Sequence, residues 1–129
     1  MHQEIPAELD ALARQVVDAA LAVHKNLGPG LLESAYQVCL KLELEKRGVP
    51  CCLEQTLPII YDGVVIEGAY RIDLIVGGMI LLELKSVEKL LPIHTAQLVT
   101  YLKLSGKRLG FLINFNVPLI RDGIKRVAL

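Results

Sequence analysis

Between Tyr70 and Lys85 the chain reads YRIDLIVGGMILLELK, two apolar segments joined at Gly77-Gly78. Runs of this kind form strands covered on both faces, in the middle of a sheet. Their interiors should carry no unpaired charge, because an isolated buried carboxylate is very costly. Yet Asp73 interrupts the first segment, and Glu83 and Lys85 the second. Glu83 and Lys85, being two residues apart, share one face of their strand. Whether Asp73 joins them depends on the turn. A two-residue loop at Gly77-Gly78 pairs Val76 with Met79 and sets Asp73 opposite Leu82, which turns Glu83 the other way. A three-residue loop centred on Gly78, or a single bulge, sets Asp73 opposite Glu83, and two glycines suit the positive φ of such a turn. In that register two carboxylates and a lysine converge, a set that holds a divalent metal and steadies a developing anion. A partly buried Glu–Lys or Asp–Lys ion pair without chemistry accounts for the same charges, and these residues alone leave both readings open.

A chain of 129 residues, 53% hydrophobic, is long enough for one domain with a real core, and residues 1–129 are read as a single unit. No apolar run approaches the roughly 20 residues of a membrane span, and the opening MHQEIPAELD lacks the basic flank and apolar stretch of a signal peptide. Cys39, Cys51 and Cys52 are odd in number and form no Cys-x-x-Cys pair, so buried, reduced thiols and a cytoplasmic location are expected. The net charge is zero but unevenly placed: −6 over residues 1–83 and +6 over 84–129. That basic third (Lys85, Lys89, Lys103, Lys107, Arg108, Arg121, Lys125, Arg126) suits a phosphate backbone beside an acidic site. A solvated surface with charges sorted by chance fits equally.

Pro6 opens a helix with Leu9, Leu12, Ala13, Val16, Val17 and Ala20 at helical spacing, running to about Lys25 and ended by Asn26-Leu27-Gly28-Pro29-Gly30. His24, near its C-terminus, is expected at the surface or as a cap. A second helix opens at Gly30 or Leu31 and closes at Lys46-Arg47-Gly48, with Leu32, Ala35, Cys39 and Leu42 as its core stripe and Glu33, Tyr36 and Gln37 on a neighbouring one. Residues 51–61 form a strand ended by Asp62-Gly63, a type I′ hairpin signal. Pairing Tyr61 with Val64 then sets Glu54 opposite Arg71. Pro58 marks that strand as an edge. A third helix runs from Pro92 to Gly106, with His94, Gln97 and Tyr101 on one polar stripe beside Leu98 and Leu102, suited to a half-buried cleft wall. KRLGFLIN, residues 107–114, returns by a right-handed crossover as a strand parallel to the Glu83 strand. The tail VPLIRDGIKRVAL adds a short strand or turn.

The order helix, three meandering strands, helix, strand, with Asp73 and Glu83-x-Lys85 on the second and third strands, resembles the PD-(D/E)XK nuclease superfamily. The segment Gly30-Leu31-Leu32-Glu33-Ser34-Ala35-Tyr36 resembles the motif that names the GxxExxY protein family. The flanking LGPG, Gln55, YRIDLIV, ILLELKSV, HTAQLVTYLKLSG and FLINFN also resemble that family, over residues 9–127. The resemblance implies an α/β, restriction-endonuclease-like αβββαβ core, with a mixed four-stranded sheet of an antiparallel meander plus one parallel strand, flanked by helices. It implies Asp73, Glu83 and the carbonyl of Leu84 as ligands of Mg²⁺ or Mn²⁺, and Lys85 as the group that positions or activates the attacking water. It further implies that Glu33 completes the carboxylates and that Gln97 with Tyr101 contacts phosphate or the site. His94, Tyr36 and Lys89 join Tyr101 as expected substrate contacts. Ile72 stands where the superfamily's name has proline. The expected function is metal-dependent hydrolysis of phosphodiester bonds in DNA or RNA, the alternative a non-catalytic nucleic-acid-binding or assembly module. A homodimer or a partner protein is expected beside the nucleic acid, and no membrane.

Overall fold

The computed structural model describes residues 5–129; the first four residues, part of the N-terminal stretch read above for a leader, lie outside them. Helices α1 (Ala7–Leu27) and α2 (Glu33–Lys46) come first. The hairpin of β1 (Cys51–Tyr61) and β2 (Val64–Val76), β3 (Ile80–Lys85), α3 (Pro92–Ser105), β4 (Leu109–Asn114) and β5 (Ile124–Ala128) follow. The strands make one sheet in chain order, β1 to β5, parallel only between β3 and β4. The expected meander and crossover are therefore present, and the tail adds a fifth strand through a 3-10 turn at Ile120–Gly123. No helix among the described residues is long and apolar enough to cross a membrane.

Two cores share the sheet. On one side α1 and α2 bury Val16, Tyr36, Leu40 and Leu44 against Leu74, Val76, Leu82, Phe111 and Ile113. On the other, Leu98 and Leu102 of α3 cover Ile72, Leu81 and Leu112. The core stripe of α2 is Tyr36, Leu40 and Leu44 with Gln37 beside it, whereas Leu32 and Leu42, expected inside, are 77% and 62% exposed. Tyr36 is inside because its hydroxyl finds backbone partners: it donates to Gly28 O at 2.6 Å and accepts from Leu31 N–H at 3.1 Å. Its ring stacks on Phe115 with centroids 4.4 Å apart. His24 is likewise buried, not a surface cap, because its Nε2 meets Val117 O at 2.8 Å. Of the cysteines expected inside, Cys52 is exposed, while burial pushes the Cys51 thiol up to about 11.

At the hairpin tip Asp62 and Gly63 both have positive φ, and Tyr61 pairs with Val64. The register then shifts. Only Pro58 separates Leu57 from Ile59 on β1, while Glu67, Gly68 and Ala69 intervene between Ile66 and Tyr70 on β2. Proline offers no N–H to the ladder and Gly68 takes φ +64°, so the extra residues of β2 bulge out opposite Pro58. Arg71 consequently faces Thr56 rather than Glu54, and its 3.9 Å pair with Glu54 is a diagonal contact in solvent. Strand β1 lies at the sheet edge, as Pro58 indicates.

Candidate active site

The turn between β2 and β3 decides the site. Val76 pairs with Ile80, Ile75 with Leu81 and Leu74 with Leu82, leaving a three-residue loop in which Gly77 and Gly78 have φ +57° and +68°. The same parity sets Asp73 opposite Glu83, but there the strands part, and side chains take over the ladder. Asp73 N–H donates to Glu83 Oε1 at 3.3 Å, and Leu84 N–H to Asp73 Oδ2 at 2.8 Å. Side-chain alternation breaks at the same step: Tyr70 and Ile72 pack under α3, whereas Leu74 and Val76 pack under α1 and α2. On β1, Glu54 lies in the left-handed region between Leu53 and Gln55, the partners of Leu74 and Ile72. The fork is thus a local departure from sheet geometry, fixed by two carboxylates.

Glu83 shares the α3 side with Leu81, since Leu82 and Leu84 belong to the opposite core. It is 5% exposed, and its carboxyl is pushed up to about 8 by burial first and by the charge of Asp73 second. The Asp73 N–H and Lys85 act against that rise, and Glu33 adds to it. Burial also raises Asp73, opposed by the Leu84 N–H and Lys85. Asp73, Glu83, Lys85 and Glu33 thus act on one another as a charge cluster, with Arg71 also felt by Asp73. Glu33, in the first turn of α2, has a second role, because its Oε1 accepts Ser86 N–H at 3.2 Å while Ser86 Oγ donates to Leu31 O at 2.6 Å. It therefore ties the end of β3 to the loop before α2.

From α3, Tyr101 adjoins the carboxylates. Burial and then the charge of Glu83 raise its phenol, and a hydrogen bond from Gln97 opposes them. Gln97 Nε2 donates to Tyr101 Oη at 2.7 Å, so Gln97 is linked to the cluster through Tyr101, and Tyr101 stacks on Tyr70 at 4.8 Å. His94 Nδ1 accepts Leu91 N–H at 3.0 Å and so begins α3. Lys89 is exposed in the loop after β3. Tyr36 is not available to a substrate, being fully buried with its hydroxyl held by Gly28 and Leu31. The motif spacing of Gly30, Glu33 and Tyr36 has a packing reason: one turn of helix carries the tyrosine back over the glycine loop. Nor do the C-terminal cations form one face, since Arg126 pairs with Asp10 of α1 at 3.3 Å while Lys103 and Lys107 line a groove beside the hairpin.

Two positioning groups carried no role in the sequence reading. Gln37, 7% exposed, donates from Nε2 to Asp73 O at 2.9 Å and fixes the peptide that bears the site's first carboxylate. Asn114, 2% exposed, holds Val87 through both its amide atoms, at 3.1 and 2.9 Å, and so pins the loop after Lys85. A polar residue inside an apolar run, as in FLINFN, is the signal that marks such a clamp.

The donors at the fork suit a small hard cation. Asp73 and Glu83 each give one oxygen to a backbone N–H and keep a second, and the Leu84 carbonyl points to the same edge as its N–H, toward Asp73. Oxygen donors of this kind fit Mg²⁺ or Mn²⁺, which retain several waters. Among the described residues no three His, Cys, Asp or Glu side chains gather as a metal cage, so such an ion would be held by two carboxylates, a carbonyl and water.

The model of the PD-(D/E)XK nuclease superfamily matches residues 10–127. No curated protein matches the chain. The crystal structure of SSO0001 superposes with a TM-score of 0.48 at 24% identity, over 92% of this chain and 61% of that one. The chain thus spans about three fifths of that protein's length, and a likeness at this level bears on neither activity nor substrate. Nucleases of the matched superfamily generally use divalent metal ions. With a match over nearly its whole length and a mixed sheet that forks at an Asp and a Glu-x-Lys, the chain belongs to the PD-(D/E)XK nuclease superfamily and has a restriction-endonuclease-like fold.

Proposed function

We propose that residues 1–129 act as one catalytic domain of the GxxExxY type, a Mg²⁺- or Mn²⁺-dependent nuclease of the cytoplasm that hydrolyses phosphodiester bonds of DNA or RNA. The observation that carries this reading is the fork itself: Asp73 and Glu83 replace the β2–β3 ladder with their own carboxylates, beside Lys85. A sheet gains no stability from exchanging two backbone bonds for a pair of like charges, one of them nearly buried. A divalent ion between them would balance that charge and supply Lewis-acid activation of water and phosphate. Asp73, Glu83 and the Leu84 carbonyl would hold it. Lys85, on the face of Glu83, places an ammonium where charge develops on the phosphoryl oxygens and orients the nucleophile. Glu33 sets the field around the two ligands. Tyr101, Gln97, His94 and Lys89 are the groups of the α3 side proposed to meet the substrate.

The test is cleavage of labelled single- and double-stranded DNA and RNA with Mg²⁺, with Mn²⁺ and with chelator. Glu83→Ala and Lys85→Ala should each remove cleavage by about 10³-fold or more while the protein stays folded. Calorimetry with Mn²⁺ should separate them: Glu83→Ala weakens uptake and Lys85→Ala spares it. Nucleic acid bound but never cut, across all metals and substrates, sinks the catalytic reading. It would leave a binding or assembly module, which the exposed apolar tip of the β1–β2 hairpin favours.

A further inference from the structure

Beyond Pro58 the hairpin is a ribbon of two strands. Ile59, Ile60 and Tyr61 pair with Ile66, Val65 and Val64, while β3 pairs with β2 only over Leu74–Val76. Alternation puts Tyr61 and Val64 on one face of the ribbon and Ile60 and Val65 on the other. All four are exposed, by 72%, 61%, 74% and 55%. A ribbon that is apolar on both faces is made to be enclosed, not to lie against one surface. By itself such a ribbon is only marginally stable in water, and an apolar patch of this kind marks a contact site.

The molecule also carries a slot. Between the hairpin, from Leu57 up to Ile60, and the C-terminal end of α3 lies a groove of about 730 Å³, walled by Leu57, Pro58, Ile60, Ile75 and Leu104, with Lys103 and Lys107 along it. The tip bears Asp62, and Glu67 stands in the bulge opposite Pro58; both are exposed. None of these four charged groups has an ion pair among the described residues. An apolar tip with one acid, a second acid at the foot of the ribbon, and an apolar slot with two cations thus stand on the same chain.

We propose that two copies of this chain pair about a two-fold axis, the hairpin tip of each lying in the groove of the other. The complementary charges select a second copy as the occupant. From Leu57 in the groove to Tyr61 at the tip is about 13 Å at the rise of a strand, so two hairpins lying antiparallel reach each other's grooves with the axis near Ile59. The contact is isologous and closes at two. Because each copy contributes both a tip and a groove, a patch of a few hundred Å² grows toward the roughly 800 Å² per copy of a specific interface.

Sedimentation velocity on the metal-free protein, over a range of concentrations, reads this directly and needs no substrate, so its outcome is independent of the nuclease reading. The wild type should sediment as a dimer, and Val65→Asp as a folded monomer. The pair Lys103→Glu/Lys107→Glu makes tip and groove both acidic, and Asp62→Asn/Glu67→Lys removes the acid of the tip and leaves the ribbon and groove with cations alone. Each should weaken self-association by about tenfold or more, and the two variants mixed one to one should pair again, to within a few-fold of wild type. A monomeric wild type, oligomers that keep growing with concentration, or a mixture no tighter than its components would overturn the proposal.

Discussion

The two ends of β2 carry the same kind of residue and meet different surroundings. Leu74, Ile75 and Val76 are 0%, 7% and 0% exposed, whereas Val64, Val65 and Ile66 of the same strand are 61%, 55% and 42% exposed. Composition does not separate them. What separates them is company: the inner end has β3 beside it and helices on both faces, and the outer end has only β1. Asp73 stands at the boundary, where β3 leaves β2 and a carboxylate can reach both a backbone N–H and the space between the strands. The site is therefore a product of the sheet coming apart, not of a loop laid over it.

Truncation should exaggerate the contrast. Leu82, fully buried opposite Leu74, should cost about 3 kcal/mol or more as Leu82→Ala, through lost burial and a cavity. Val64→Ala, on the outer end, should stay within about 0.5 kcal/mol. Urea unfolding at concentrations low enough for a monomer measures both, and equal losses would mean that the tip is packed inside its own chain.

The boundary should respond to pH. Folding raises Glu83 from 4.5 to about 8 and moves Asp73 in the same direction. A carboxyl raised in the folded state contributes stability that is complete below its unfolded value and lost as pH climbs through the folded one. The metal-free protein should thus lose stability steadily between about pH 4.5 and 8, by several kcal/mol. Glu83→Gln should flatten that decline, and Mn²⁺ should offset it at the alkaline end. Thermal melts in chelator across the range decide it: a wild-type curve as flat as that of the variant would show that the fork does not strain its carboxylates.

The register of the fork was legible because parity is arithmetic: two glycines and three charges in one stretch allow few turns, and the three-residue one brings Asp73 to Glu83. The shift opposite Pro58 was not, because nothing local in VVIEGAY says that three residues of β2 will answer one of β1. On α2 the hydrophobic stripe misled. Leu32 and Leu42 are apolar and exposed, while Tyr36 and Gln37 are buried by hydrogen bonds to Gly28, Leu31 and Asp73, which sit far from them in sequence or across a loop. His24 went the same way through Val117, 93 residues on. Periodicity reports apolar surface, and it cannot see a distant carbonyl.

Those hydrogen bonds make a smaller, separable contribution. Tyr36→Phe keeps the stack on Phe115 and removes only the hydroxyl that bridges Gly28 O and Leu31 N–H, and should cost about 1 kcal/mol. The loss should appear in hydrogen exchange as faster opening of the loop before α2, with β3 and β4 unchanged. Uniform loss of protection would mean that the hydroxyl supports the whole core.

The smallest effect on stability is expected at Gln97, which is exposed and whose side chain bonds to Tyr101, so Gln97→Ala should shift unfolding by less than about 0.5 kcal/mol. Its contribution should appear instead in the phenol it touches. Burial and the charge of Glu83 raise Tyr101, and the Gln97 amide, donating to the hydroxyl oxygen, favours the phenolate and opposes them. Removing the donor leaves the raising forces alone, so Tyr101 should titrate at higher pH in the variant. Carbon-13 labelling at the tyrosine ζ position separates Tyr101 from the other tyrosines and gives its titration directly. Should Tyr101 titrate unchanged, the amide does not reach the site even at one remove, and the polar stripe of α3 ends at Tyr101. Should it move while cleavage keeps its wild-type rate, Gln97 tunes a neighbour of the carboxylates without contributing to their chemistry, and the boundary of the site falls between the two residues.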